Sequence, residues 1–153
     1  MTITNDSKTT LYERDFYQWI QETTEKLKMK DFDNMDLENL IEEIESLGKS
    51  DKKEIRSRLT ILLEHLLKRV YVDMPQEFNG WERTIRNQRT GIELAMIDSP
   101  SLKTMWDGAF DIAFRLALRE VKKEYAKQGY QIPDTWQFER DIDTMLNIDF
   151  WEQ

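Results

Sequence analysis

The sequence predicts an all-α fold, a single-domain bundle of about six helices with the third helix at its centre. Three observations carry that expectation. Apolar residues recur at three- and four-residue spacing through most of the chain, the period of one helix face. Strand-like alternation does not run for any useful length. Only 5 Gly and 3 Pro punctuate 153 residues, so breaks are few and fall at identifiable caps.

Residues 1–10 are polar and are expected to be flexible, with the helical domain covering 11–153. Thr10-Leu11-Tyr12-Glu13 fits a capping box, in which hydroxyl and carboxylate satisfy orphan amides reciprocally. Behind it Tyr12, Phe16, Trp19, Ile20, Thr23 and Leu27 form one stripe, predicting a first helix of about five turns. Lys30 to Asn34 reads as a loop. A second, short helix starts near Asp36, with Leu37, Leu40, Ile41, Ile44 and Leu47 expected to face inward and Gly48 as its stop. Ser50 or Asp51 can cap the third helix, whose Ile55, Leu59, Leu62, Leu63, Leu66, Leu67 and Val70 form two adjoining stripes. That width requires more than one packing partner, which places this helix centrally. Pro75 bounds it.

Asn79-Gly80 opens a fourth helix bearing Trp81, Ile85, Ile92 and Met96. Ser99-Pro100 supplies an N-cap and a first-turn proline for a fifth, running to about Lys127 and closing at Gly129, with Gly108 as a point of fracture. Ile132-Pro133-Asp134-Thr135 is read as the start of a last helix through Met145. Asp149-Phe150-Trp151 then forms a tail expected to dock on its own domain.

Composition excludes several chemistries. No Cys means no disulfide, no cysteine nucleophile and no thiolate metal site, and one His excludes any site built on two imidazoles. Aromatic residues at 11% argue against disorder. The start, Met1 to Asp6, has neither the basic nor the apolar region of a secretion signal. The most apolar stretch, Leu59 to Val72, is interrupted by Glu64, His65, Lys68 and Arg69, so no membrane span is expected. The chain reads as cytoplasmic. A net charge of −8 disfavours nonspecific attraction to nucleic acid or anionic membrane.

That charge is unevenly spread. Residues 1–48 hold 5 basic and 12 acidic groups, residues 49–89 hold 10 and 6, and residues 90–153 hold 7 and 12. The middle segment is the only basic one. It could take a phosphate or an acidic partner, although pairing with the acidic second helix is the simpler expectation.

Seven polar residues stand out. Glu38, Glu42 and Glu45 share one helix face beside the apolar stripe, where Glu42 and Glu45 could act as acid and base or hold a cation; a solvated flank is the simpler reading. His65 projects between Arg58, Ile61 and Arg69 on the rim of an apolar face, suited either to titrate in a site or to donate one hydrogen bond within the fold. Gln88 interrupts the stripe of Trp81, Ile85, Ile92 and Met96, flanked by Thr84 and Arg89. A buried amide needs partners, whether a ligand or a neighbouring helix. Metal is not expected. The residue three before His65 is Leu62, so a Glu-x-x-His ligand pair fails, and Asp31 to Asp36 lacks the glycine and terminal glutamate of a calcium loop. No cofactor is expected either, and neither a Gly-rich phosphate loop nor a Gly-x-Ser-x-Gly nucleophile elbow is present as a catalytic signature.

Several ordered blocks extend over nearly the whole chain: Tyr12-Glu13-x-Asp15-Phe16-Tyr17-x-Trp19, Glu38-Asn39-Leu40-x-Glu42-Glu43-Ile44-Glu45-x-Leu47-Gly48-Lys49-Ser50, Arg58-Leu59-x-x-Leu62-Leu63-x-His65-Leu66-Leu67-Lys68, Trp81-x-x-Thr84-Ile85-x-x-Gln88-Arg89, Ser99-Pro100-Ser101-Leu102 and Asp149-Phe150-Trp151. In these the chain resembles the domain-of-unknown-function family 29, small helical proteins abundant in cyanobacteria. The resemblance implies an all-α fold and no named activity. The chain departs from the family pattern between Arg69 and Gly80, where a basic, Pro-containing segment is replaced, and at Ile132-Pro133, which stands where relatives often carry a cysteine-proline turn.

Three functions are thus in play. A non-enzymatic helical protein-interaction module leads, acting by self-association or by capture of a basic protein partner. A small-molecule-binding or enzymatic domain would use Glu42, Glu45, His65, Thr84, Gln88 and Arg89 between helices two, three and four. Phosphate or nucleic-acid binding by residues 49–89 ranks last.

Overall fold

Every regular element in residues 10–152, the part described by this computed structural model, is helical. Six α-helices occur in order: α1 Leu11–Arg14, α2 Phe16–Lys28, α3 Leu37–Tyr71, α4 Pro75–Asp98, α5 Trp106–Tyr125 and α6 Ile142–Asn147. The chain divides into two compact units, Met1–Gly48 and Lys49–Gln153, each described by itself below. The expectation of a flexible start falls on residues 1–9, which lie outside the described residues.

In the first unit the stripe expected on one helix is cut in two. The Thr10 hydroxyl accepts from the Glu13 amide at 3.3 Å, but Asp15 leaves helical geometry and caps α2 itself, accepting from the Gln18 amide at 3.1 Å. An aspartate that satisfies an orphan amide competes with helix continuation, and here it wins. At the other end of α2, Lys30 adopts a left-handed conformation (φ 57°). Its amide bonds to Leu27 and that of Asp31 to Lys26, a Schellman closure with lysine where glycine is usual. Asp36 then caps α3, its carboxylate taking the Asn39 amide at 3.3 Å.

Gly48 does not end a helix. α3 is a continuous 35-residue helix that includes it, so the separate second and third helices expected from sequence are one element. A stop needs the left-handed residue, and among the glycines only Gly129 has a positive φ. A glycine in the interior costs roughly 1 kcal/mol relative to alanine, too little to break a helix of this length.

The second unit is a bundle in which the Lys49–Tyr71 portion of α3 packs with α4 and α5. Ile55, Leu59, Leu62, Leu63, Leu66 and Leu67 are at most 1% exposed and meet Ile85 and Ile92 of α4 and Phe110, Ala113, Ala117 and Val121 of α5 in one core. The small Ala109, Ala113 and Ala117 on successive turns give α5 a low ridge for close approach. α4 begins at Pro75 rather than at Asn79-Gly80, because proline is well placed in a first turn where its missing amide leaves nothing unpaired. The fifth helix breaks between Met105 and Trp106, where a 3₁₀ segment Pro100–Met105 gives way to α5, and not at Gly108. Gly129, at φ 92°, closes that end as expected.

The last helix is much shorter than its sequence suggests. Residues 130–141 are irregular, and α6 starts at Ile142 with Asp141 accepting from the Thr144 amide at 3.1 Å and its hydroxyl at 2.6 Å. Packing overrides the proline signal. Trp136 lies edge-on to Phe110 at 5.9 Å and to Phe150 at 5.3 Å, and Phe138 sits 4.7 Å from Phe150, contacts a helix over 133–141 would not be free to make. Phe150 is 3% exposed, so the tail docks within its own unit.

Because Lys30 is exposed and holds a conformation that disfavours a side chain, Lys30→Gly should stabilise the first unit by about 0.5–1 kcal/mol, read as a higher urea midpoint. An unchanged or lower midpoint would contradict the Schellman closure.

Candidate functional site: polar staples and an open apolar face

The residues nominated from sequence divide between the two units, Glu42 and Glu45 in the first and His65, Thr84, Gln88 and Arg89 in the second. In the second unit each finds a partner inside the fold. Arg89 of α4 holds α6: its Nε donates to the Met145 carbonyl at 2.9 Å, one Nη donates to the Ile148 carbonyl, and the other meets Asp149 Oδ1 at 3.2 Å. The guanidinium therefore occupies the position of a C-cap, where carbonyls lack intrahelical donors and the helix dipole favours a cation. Burial lowers its pKa, and the Asp149 carboxylate works the other way.

Gln88 Oε1 accepts from Arg58 Nη1 at 3.3 Å, and Arg58 Nε is paired with Glu54 at 3.0 Å. Gly91 makes room for this link, since a Cβ there would lie 2.8 Å from Arg58 Nε. Thr84 donates to the Gly80 carbonyl one turn back, at 3.3 Å. His65 is half-buried, and its Nδ1 lies 2.8 Å from the Ile61 carbonyl, so the proton sits on Nδ1. Burial is the largest influence on this imidazole and lowers its pKa below the ordinary 6.5; Lys68 adds to the drop, while the Ile61 carbonyl and Glu124 oppose it. Beside it Glu64, which sequence reading passed over, has its carboxyl pKa raised by burial and by Glu120 and Glu124, against the pull of Lys68.

Arg69 was equally invisible as a partner-maker. Its Nε meets Glu82 at 2.9 Å, and its guanidinium lies 3.7 Å from the Phe78 ring centre and 5.1 Å from that of Trp151. A cleft of about 370 Å³ opens beside it, bounded in part by Tyr71, Asp73 and Phe150. The basic segment's Arg58, Arg69 and Arg89 are thus matched by Glu54, Glu82 and Asp149 within the second unit. Among the described residues no group of three or more His, Cys, Asp or Glu side chains is arranged to hold a metal. No described helix is long and apolar enough to cross a membrane.

The first unit is organised differently. Tyr12 donates to the Glu43 carboxylate, which ties α1 to α3 and pushes the phenol pKa up to about 12. Tyr12 stands edge-on to Trp19 at 4.8 Å, and Phe16 stacks on Trp19 at 5.7 Å. Among the described residues of this unit only Trp19 and Thr23 are buried. Leu37, Ile41, Ile44 and Leu47 were expected to face inward; they are 45%, 54%, 59% and 68% exposed, with only Leu40 of that stripe half-buried. Phe16, Ile20 and Leu27 on α2 are also exposed. The reason is supply, because α1 and α2 together offer too little helix to cover their own stripe and that of α3. Single exposed leucines are ordinary, but a stripe sustained over three turns is not. Glu42 and Glu45 lie exposed alongside it.

Removal of the α6 staple has a measurable consequence. Arg89→Ala should cost about 2–3 kcal/mol in urea unfolding, since two carbonyls and Asp149 lose their donor, and Arg89→Lys should recover less than half because one ammonium cannot span three acceptors. Full recovery by lysine would show that charge alone matters. His65 gives a pH signature. Its imidazole in the unfolded chain protonates near 6.5 and in the folded chain only at lower pH, so its stabilisation is complete above 6.5 and fades as pH falls through the folded value. Relative to His65→Gln, the natural protein should therefore lose stability on going from neutral pH to about pH 5; parallel curves would contradict the assigned burial effect.

Comparison with known sequences fits this architecture. A family model described as "Domain of unknown function DUF29" matches residues 11–151, from the first residue of α1 to the docked tail. Neither a curated protein nor a solved structure matches the chain. With nearly the whole chain inside that match, this protein belongs to the DUF29 family.

Proposed function

We propose that this chain is a non-enzymatic helical protein-interaction module whose docking surface is the apolar face of α3 from Leu37 to Leu47. The observation that carries this reading is the exposure of Leu37, Ile41, Ile44 and Leu47 on one side of a well-formed helix. Leu37, Ile41, Ile44 and Leu47 keep about half of their surface in water, and covering that remainder gains roughly 1 kcal/mol each, free energy released only when something covers the face. The second unit supports the reading by contrast. Its apolar residues form one core, and the polar residues His65, Gln88 and Arg89 singled out in the sequence are engaged by Arg58 or by backbone carbonyls.

Photo-crosslinking in the native host tests this. A photoreactive phenylalanine analogue at position 44 should give one discrete protein adduct, and the same analogue at Arg86, an exposed residue of α4, should not. Equal, diffuse labelling from both positions, or none from position 44, would overturn the docking face.

A further inference from the structure

We infer that the occupant of this face is a basic amphipathic helix of another protein, an inference that rests on the docking reading above. At 100° per residue Glu38, Glu42 and Glu45 fall within about 60° of one another and flank the line of Leu37, Ile41 and Ile44. All three are exposed, and none has a cationic partner within the first unit among the described residues. An apolar stripe bordered by a row of unmatched carboxylates is complementary to a stripe bordered by Lys or Arg.

The distribution of charge selects this occupant over a second copy. The first unit carries 12 acidic and 5 basic groups, whereas residues 49–153 carry 18 and 17 and are close to neutral. Pairing two copies through this face would set −7 against −7, and like charges brought together at an interface are costly. The face also has the dimensions of a helix partner. Leu37 to Leu47 spans about 15 Å, three turns, and presents ridges of side chains without free backbone edges, so it accepts anchors at i, i+4 and i+7 rather than an extended strand. The flanking charges would set orientation and hasten encounter, and would make binding sensitive to salt.

The test uses the full chain and three fluorescein-labelled peptides of about 18 residues, five helical turns. One carries a Leu/Ile stripe flanked by Lys, one the same stripe flanked by Glu, and one the Lys composition with its apolar order scrambled. Anisotropy should show binding of the first alone, weakened about 10-fold by Ile44→Glu, and by a similar factor in Glu38→Gln/Glu42→Gln/Glu45→Gln or on raising salt. The glutamine variant keeps the helix formers and the apolar face, so it separates charge from folding. Equal binding of the Glu-flanked peptide would overturn the basic partner while the docking face stands. Equal binding of the scrambled peptide would overturn both, as diffuse attraction. Sedimentation showing a dimer that Ile44→Glu dissociates would replace the basic helix by a second copy, and binding of no peptide would overturn the inference.

Discussion

Six side chains of α3, Ile55, Leu59, Leu62, Leu63, Leu66 and Leu67, are almost completely removed from water, and the second unit is arranged to keep them so. They cover more than one side of the helix, so a single neighbour cannot bury them. α4 supplies Trp81, Ile85 and Ile92, and α5 supplies an alanine ridge with Phe110 and Val121. The remaining chain is then committed to sealing the edges. The irregular segment before α6 contributes Trp136 and Phe138, and the tail contributes Phe150. Hydrophobic burial is non-directional, and the geometry comes from the polar groups that must be satisfied around it.

Arginines provide most of that geometry. Arg58 links its own helix to Gln88 of α4, Arg69 joins Glu82 while stacking on Phe78, and Arg89 closes the C-terminus of α6. Each uses the planar, multi-donor fork that a lysine lacks. Three of the residues that drew functional interest in the sequence, Gln88, Arg89 and His65, are distinctive because polar groups at helix interfaces must be matched, and a matched interface group has the same sequence signature as a ligand-binding one.

How much of this was legible in the sequence follows from whether the signal was local. The all-α class and the inward residues of α4 were readable from periodicity, and the closure at Gly129 and the first-turn Pro100 from the residue types themselves, although Ser99 precedes a 3₁₀ segment and makes no side-chain cap bond. Gly48 misled because a glycine ends a helix only when its neighbours need a left-handed residue, and the flanking residues of α3 do not. The last helix misled because Ile132-Pro133-Asp134-Thr135 carries start signals that burial of Trp136 and Phe138 overrules. Arg58 against Gln88 is 30 residues apart and Arg89 against Asp149 is 60, so no local pattern announces either. The open face was hidden for a different reason. Leu37, Ile41, Ile44 and Leu47 show the period of a buried stripe, and periodicity says which residues share a face without saying whether anything covers it.

If the α3 stripe of the first unit is open, its side chains contribute little to folding. If it is core, they contribute as core residues do. The direct measurement is urea unfolding of Ile41→Gln and Ile44→Gln, with Leu63→Ala as the reference for a fully buried position. An open stripe gives changes within about 0.5 kcal/mol for each glutamine variant, against roughly 2–5 kcal/mol for Leu63→Ala. A loss of several kcal/mol at Ile41 or Ile44 would contradict an open face, because those residues would then already be covered by the chain itself.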